Sequence, residues 1–157
     1  MKNILKISVV VALTLFSLAL FAQDQVKVQM KAEKITVQNG QESRTSADQA
    51  APGEIVQYTA VYKNTDKLPA KQVLATLPIP AVTEYIPGTA TPAGAMASLD
   101  GTNFSPIPLK RMVKNSDGKT VEVEVPASEY RALRWMLGDL KGNESRTVSA
   151  RVKVRSR

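Results

Sequence analysis

From Val26 onward, apolar residues recur at every second position through most of the chain, and no long stretch carries the 3.6-residue period of a helix. A period of two puts successive side chains on opposite faces of a strand. The last segment is the clearest case. Val148, Ala150, Val152 and Val154 fall on one side, while Ser149, Arg151, Lys153 and Arg155 fall on the other. Val56, Tyr58, Ala60 and Tyr62 line up in the same way against Gln57, Thr59 and Lys63. Val121, Val123 and Val125 alternate with Thr120, Glu122 and Glu124. Half-apolar strands need a second apolar layer, and without helices that layer must be another sheet.

Turn signals divide the rest. Val26, Val28, Met30 and Ala32 alternate with Lys27, Gln29 and Lys31, and the phase then shifts to Ile35 and Val37. Such a shift predicts a bulge, or a strand passing from one sheet to the other. Residues 23–38 are therefore read as N-terminal strand, and 39–49 as a polar loop. Pro52-Gly53 turns the chain into the next strand, and Asn64-Thr65-Asp66 ends it. Pro78 and Pro80 stop a strand from Gln72 to Leu77, and Pro87-Gly88 closes a short one at Thr83 to Ile86. Asp100-Gly101 is a hairpin signal, and Asn115-Ser116-Asp117-Gly118 is a second turn signal. Between them, Pro106 and Pro108 predict an irregular edge. Residues 128–133 allow at most one short helical turn, with Ser128 as its cap. Arg134 to Leu137 is a core strand, and Lys141-Gly142-Asn143 turns into the last one. The sum is an antiparallel β-sandwich of about seven to nine strands.

The start of the chain is of another kind. A basic opening, Met1 to Lys6, leads into an apolar run from Ile7 to Ala22. That pattern predicts a secretory signal peptide over 1–22, with cleavage after Ala22 and a fallback after Ala19. The run is shorter than the roughly 20 residues of a membrane span, so no transmembrane segment is expected after cleavage. Removing 22 of 157 residues leaves 135, one domain able to build a core without cross-links. Cysteine is absent, which excludes disulfides and thiol chemistry. The net charge of +7 falls to +5 without Lys2 and Lys6. Its basic residues are scattered and lack interleaved aromatics, so no nucleic-acid partner is expected.

Four local patterns stand in a fixed order: residues 51–66 (APGEIVQYTAVYKNTD), 77–80 (LPIP), 85–90 (YIPGTA) and 135–150 (WMLGDLKGNESRTVSA). Over about 50–155 this order resembles the bacterial conserved-repeat domain, domain of unknown function eleven. The resemblance implies an immunoglobulin-like domain over 50–157, present here as a single copy behind the signal. It also implies a structural or adhesive role at the cell envelope, with no catalytic residues assigned. The same features have a direct physical reading. Gly53 supplies a positive φ, Tyr58 and Trp135 are bodies for a two-sheet core, and Asn64 can tie its amide to turn backbone.

Catalytic chemistry finds few materials. Histidine is absent, removing His-based triads and the commonest metal ligand. The Ser116-x-x-Lys119 spacing spans an Asp-Gly turn rather than a helix face. Glu122 and Glu124 lie on one strand face and do not oppose each other across a cleft, as a glycosidase pair must. Asp100 alone falls short of the six or more oxygens calcium needs. The expectation is no enzyme, no cofactor and no metal.

Surface chemistry leaves two candidates. Arg151, Lys153 and Arg155 form a basic row with about 6.6 Å between neighbours, suited to an acidic partner or, more plainly, to keeping a strand edge from aggregating. Tyr85, Phe104 and Tyr130 are the aromatics left over for a carbohydrate platform. The leading expectation is an exported structural or protein-interaction module, located in the periplasm, on the surface or released. Its partner would be another envelope protein or the chain itself. Binding of envelope polymer, or strand addition through the first strand, is the alternative.

Overall fold

The computed structural model describes residues 25–48 and 50–156; the segment at 1–22 expected to be a signal peptide, and Arg157, lie outside them. The strands in chain order are β1 Val26–Gln38, β2 Gln41–Ser46, β3 Ile55–Asn64, β4 Ala70–Pro78, β5 Thr83–Tyr85 and β6 Met96–Ser98. They continue with β7 Ser105–Pro106, β8 Lys110–Lys114, β9 Thr120–Glu124, β10 Ala132–Leu140 and β11 Ser145–Val154. Two antiparallel sheets form the sandwich, in the orders β2-β1-β3-β11-β5 and β4-β10-β6-β7. β8 and β9 make a separate two-stranded ribbon. The all-β sandwich expected from the alternation is what the chain adopts, and it is consistent with the immunoglobulin-like class.

The core follows from which side of each strand is apolar. Val56, Ala60 and Tyr62 of β3 and Val148, Ala150 and Val152 of β11 turn inward. Ala75 and Leu77 of β4, Ala97 of β6 and Leu133, Trp135 and Leu137 of β10 meet them from the second sheet. Alanines at 60, 75, 97 and 150 leave room for the rings of Tyr62, Tyr85, Tyr130 and Trp135. The ring polar atoms are satisfied as well. Trp135 Nε1 donates to the Pro92 carbonyl at 2.7 Å. Tyr62 Oη accepts from the Thr76 amide at 2.9 Å and donates to its carbonyl at 3.0 Å, linking β3 to β4. Each fully buried leucine, such as Leu77, Leu133 or Leu140, contributes roughly 2 kcal/mol of transfer free energy.

Three local expectations are corrected. The loop expected over 39–49 is a strand at Gln41–Ser46: Asn39 and Gly40 both take positive φ, 52° and 77°, and fold β2 back on β1 with Gln38 opposite Gln41. β1 carries no bulge, since its register against β3 is unbroken from Val26↔Asn64 to Ile35↔Ile55. The phase shift instead moves the apolar side chains from the inner face to the outer, where Ile35 is buried between its cross-strand neighbours Ile55 and Arg44. The single helical turn is a 3₁₀ turn at Ala127–Glu129, preceded by Pro126 without a side-chain cap, so Ser128 does not cap it. The eleven strands among the described residues exceed the expected seven to nine because neither β2 nor β8 carries a readable apolar alternation. A bulge does occur in β10, where the register against β4 slips around Gly138 at φ 71°.

Candidate functional site

The predicted surface residues do not form one site. Tyr85 and Tyr130 are only 3% and 2% exposed and stack on each other with centroids 6.0 Å apart. They are framework, which corrects their assignment to a binding platform. Their positions follow from β5 and the 3₁₀ turn meeting over the core, and the Tyr130 hydroxyl accepts the Leu109 amide at 2.9 Å. Phe104 is half-buried and lies 3.6 Å beneath the Arg134 guanidinium, which covers one face of its ring.

The basic row is also largely spoken for. The Arg151 guanidinium bonds Gln57 Oε1 at 3.1 Å and Glu42 Oε2 at 2.7 Å. Arg151 first, by its hydrogen bond, and then Arg44 hold the Glu42 carboxyl below its ordinary range. Arg155 donates to the Ser128 carbonyl and is half-buried. Lys153 stays exposed beside Glu84, its cross-strand neighbour. Glu84, Lys153 and Arg155 border, with Ser128, Val154 and Ser156, an open depression of about 330 Å³. Its mixed charge makes it a poor anion site.

The turn at Asp100 uses its oxygens internally. The carboxylate accepts from the Asn103 and Thr102 amides, the Asn103 side chain and the Ser98 hydroxyl, at 2.7 to 2.9 Å. These donors, the Asn103 amide first, hold its carboxyl far below the usual carboxylate range. A group so supplied with donors is a turn lock. Among the described residues, no group of three or more acidic side chains is arranged to hold a metal ion. Ser116 and Lys119 sit at the tip of the ribbon, where Asn115 Oδ1 accepts the amides of Asp117 and Lys119.

The chain does present a feature that the alternation alone did not reveal: an arm. β8 and β9 pair in the register Lys110↔Glu124 to Lys114↔Thr120. Opposed residues share a face, so Arg111, Val113, Val121 and Val123 line one side, and Lys110, Met112, Lys114, Thr120, Glu122 and Glu124 the other. The base is fixed: Leu109 and Val125 are buried, the Val125 amide donates to the Leu109 carbonyl at 2.8 Å, and Arg111 pairs bidentately with Glu129 at 2.7 and 3.0 Å. Beyond the base no third strand among the described residues covers the valines. On the polar face Lys110 pairs with Glu122 at 2.7 Å, which raises the lysine's pKa.

A second apolar surface lies on β1. Val28 and Met30 share the inner face with Tyr62 and Ala60 of β3, yet they are 48% and 51% exposed, because the second sheet ends short of β1. Both surfaces were hidden in the sequence, since alternation does not tell a covered strand face from a bare one. Compared with family models, curated proteins and solved structures, the chain matches none.

Proposed function

We propose that this chain is an exported, non-enzymatic interaction module of the bacterial cell envelope, a sandwich that docks on another protein through strand edges and apolar ribbon faces. The observation that carries the reading is the β8–β9 arm. An isolated two-stranded ribbon is marginal in water, and this one keeps a valine row half-open on a fixed base. Such a face gains stability when a partner covers it. The absence of histidine and cysteine from the whole sequence supports a binding role over a catalytic one. Export rests on the basic start and apolar run of 1–22. Polymer binding has less support, because Tyr85 and Tyr130 are interior and Phe104 is capped by Arg134.

The test is photo-crosslinking in cells that produce the full chain, with the reactive group at Val121 or, as a control, at Thr147 on the outer face of β11. The reading expects a discrete adduct from Val121 and none from Thr147, in the exported fraction. Retention of the chain in the cytoplasm would refute export. The absence of an adduct from Val121 would refute the arm as a docking element.

A further inference from the structure

Two strand edges are open among the described residues. β3 runs along one side of β1 from Val26 to Ile35, but β2 covers the other side only from Glu33 to Gln38. The second side of residues 26–32 therefore has no strand. β9 has β8 on one side and no strand on the other. The two edges alternate in opposite electrical senses. β1 reads Val26-Lys27-Val28-Gln29-Met30-Lys31, and β9 reads Thr120-Val121-Glu122-Val123-Glu124. Each puts apolar side chains on one face and polar or charged ones on the other, basic on β1 and acidic on β9.

We propose that β9 of one copy adds, in parallel, to the open edge of β1 in a second copy. The proposal rests on the interaction-module reading and names the partner as another molecule of this chain. The strand direction follows from where the free backbone groups lie. In an antiparallel ladder, residues alternate between bonding the neighbour and pointing away from it. The Thr65 amide donates to the Gln25 carbonyl at 2.8 Å, so odd-numbered β1 residues bond β3, and Val26, Val28, Met30 and Ala32 face the open side. The Val125 amide donates to the Leu109 carbonyl at 2.8 Å, so odd-numbered β9 residues bond β8, and Glu122 and Glu124 carry the free groups. An antiparallel match would oppose two residues with free groups and put a glutamate against Val28 or Met30. A parallel match opposes a free residue to an engaged one. Val28 then meets Val121, Met30 meets Val123, Lys31 meets Glu124, and Lys27 lies diagonal to Glu122.

The competing contacts are cheap to exchange. The Lys110–Glu122 pair is 53% exposed at both side chains, and the Lys31 side chain of the Lys31–Glu33 pair is 69% exposed. Donor and acceptor are different surfaces of one molecule, so the contact is head-to-tail. It extends into chains or closes into rings, and does not end at a twofold dimer.

Sedimentation velocity of the purified chain over a wide concentration range is the test. The average mass should rise with concentration beyond that of a dimer. Two double variants carry the charge argument: Glu122→Lys with Glu124→Lys, and Lys27→Glu with Lys31→Glu. Each alone places like charges on both edges and should raise the apparent dissociation constant about tenfold or more. An equimolar mixture should regain association, because each variant's β9 then meets an opposite β1. Circular dichroism matching the unaltered chain establishes that both variants fold. A monomer at every concentration would overturn the proposal, as would association unchanged in the separate variants or not regained on mixing. A monomer whose Val121 still crosslinks to a different protein in cells would overturn self-assembly and leave the interaction reading standing. A monomer giving no crosslink would remove both.

Discussion

Asn64 shows how one polar side chain can hold several elements. It is fully buried at the end of β3. Its Nδ2 donates to the carbonyls of Leu68, Leu140 and Lys141 at 2.8 to 3.1 Å, and its Oδ1 accepts the Asp66 amide at 3.0 Å. The amide thus ties the turn after β3 to the β10–β11 turn. Asn64→Ala leaves buried carbonyls without donors, and we expect it to cost about 3 kcal/mol. Urea unfolding of the variant would check this, and a loss under about 1 kcal/mol would contradict it. Gly142 serves the same junction differently. A Cβ there would collide with the Lys67 carbonyl, its carbon only 2.6 Å away. Gly118 has positive φ but open space around it, so Gly118→Ala should cost only about 1 kcal/mol of backbone strain. Gly142→Ala should be clearly the worse of the two by thermal melting, although its own φ is not in the left-handed region.

At the level of elements, the arm should be the least protected part of the sandwich. Its backbone bonds are shared between two strands alone, and its residues are mostly exposed. In native-state hydrogen exchange, we expect the amides of Val113 and Val121 to exchange well before those of Val148 and Val152. At a concentration where the chain is monomeric, equal protection would mean that the arm is covered within the single molecule. The same strands show where the sequence is legible and where it is not. β3, β10 and β11 were readable because one face is buried and the alternation survives. All six residues of β2 are exposed, so no apolar period marks it, and only Asn39-Gly40 announced the hairpin. β8 offered only Met112 and Val113. In β1 the period is visible, but its shift at Ile35 suggests a bulge or a crossing between sheets, because one strand with apolar side chains first inward and then outward gives the same pattern. The candidate site was less legible still. Tyr85 and Tyr130 were read as surface aromatics, yet short elements such as β5 and a 3₁₀ turn carry no periodicity that could place a ring inside.

For the molecule as a whole, the missing histidines set the response to pH. No side chain with an ordinary pKa between pH 5 and 8 is present, so stability should be flat across that range. On the acid side the carboxyls of Asp100, Glu54, Glu144, Asp139 and Glu42 are held below their ordinary values. The first cause at Asp100 is the Asn103 amide, at Glu54 the Ala51 amide, at Glu144 the Lys141 amide, at Asp139 Lys71 and at Glu42 Arg151. A depressed folded pKa stabilises the fold above the unfolded value, and that contribution is lost as pH falls toward the folded one. The loss should therefore begin near about pH 4.5 and deepen below it. On the alkaline side, desolvation raises the pKa values of Tyr58 and Tyr62. Raised phenols favour the folded state while neutral, so stability should fall above about pH 10, as the unfolded chain begins to ionise them. Melting temperatures from pH 2.5 to 11 should trace a plateau with two shoulders. Asp100→Asn, which removes the most depressed carboxyl, should melt below the parent on the plateau, and the two curves should converge as the pH drops below 4. Curves that stay parallel through the acid shoulder would show that the Asp100 turn draws nothing from its charge. A slope within the plateau would point to the α-amino terminus or to a side chain whose pKa is displaced far from its ordinary value.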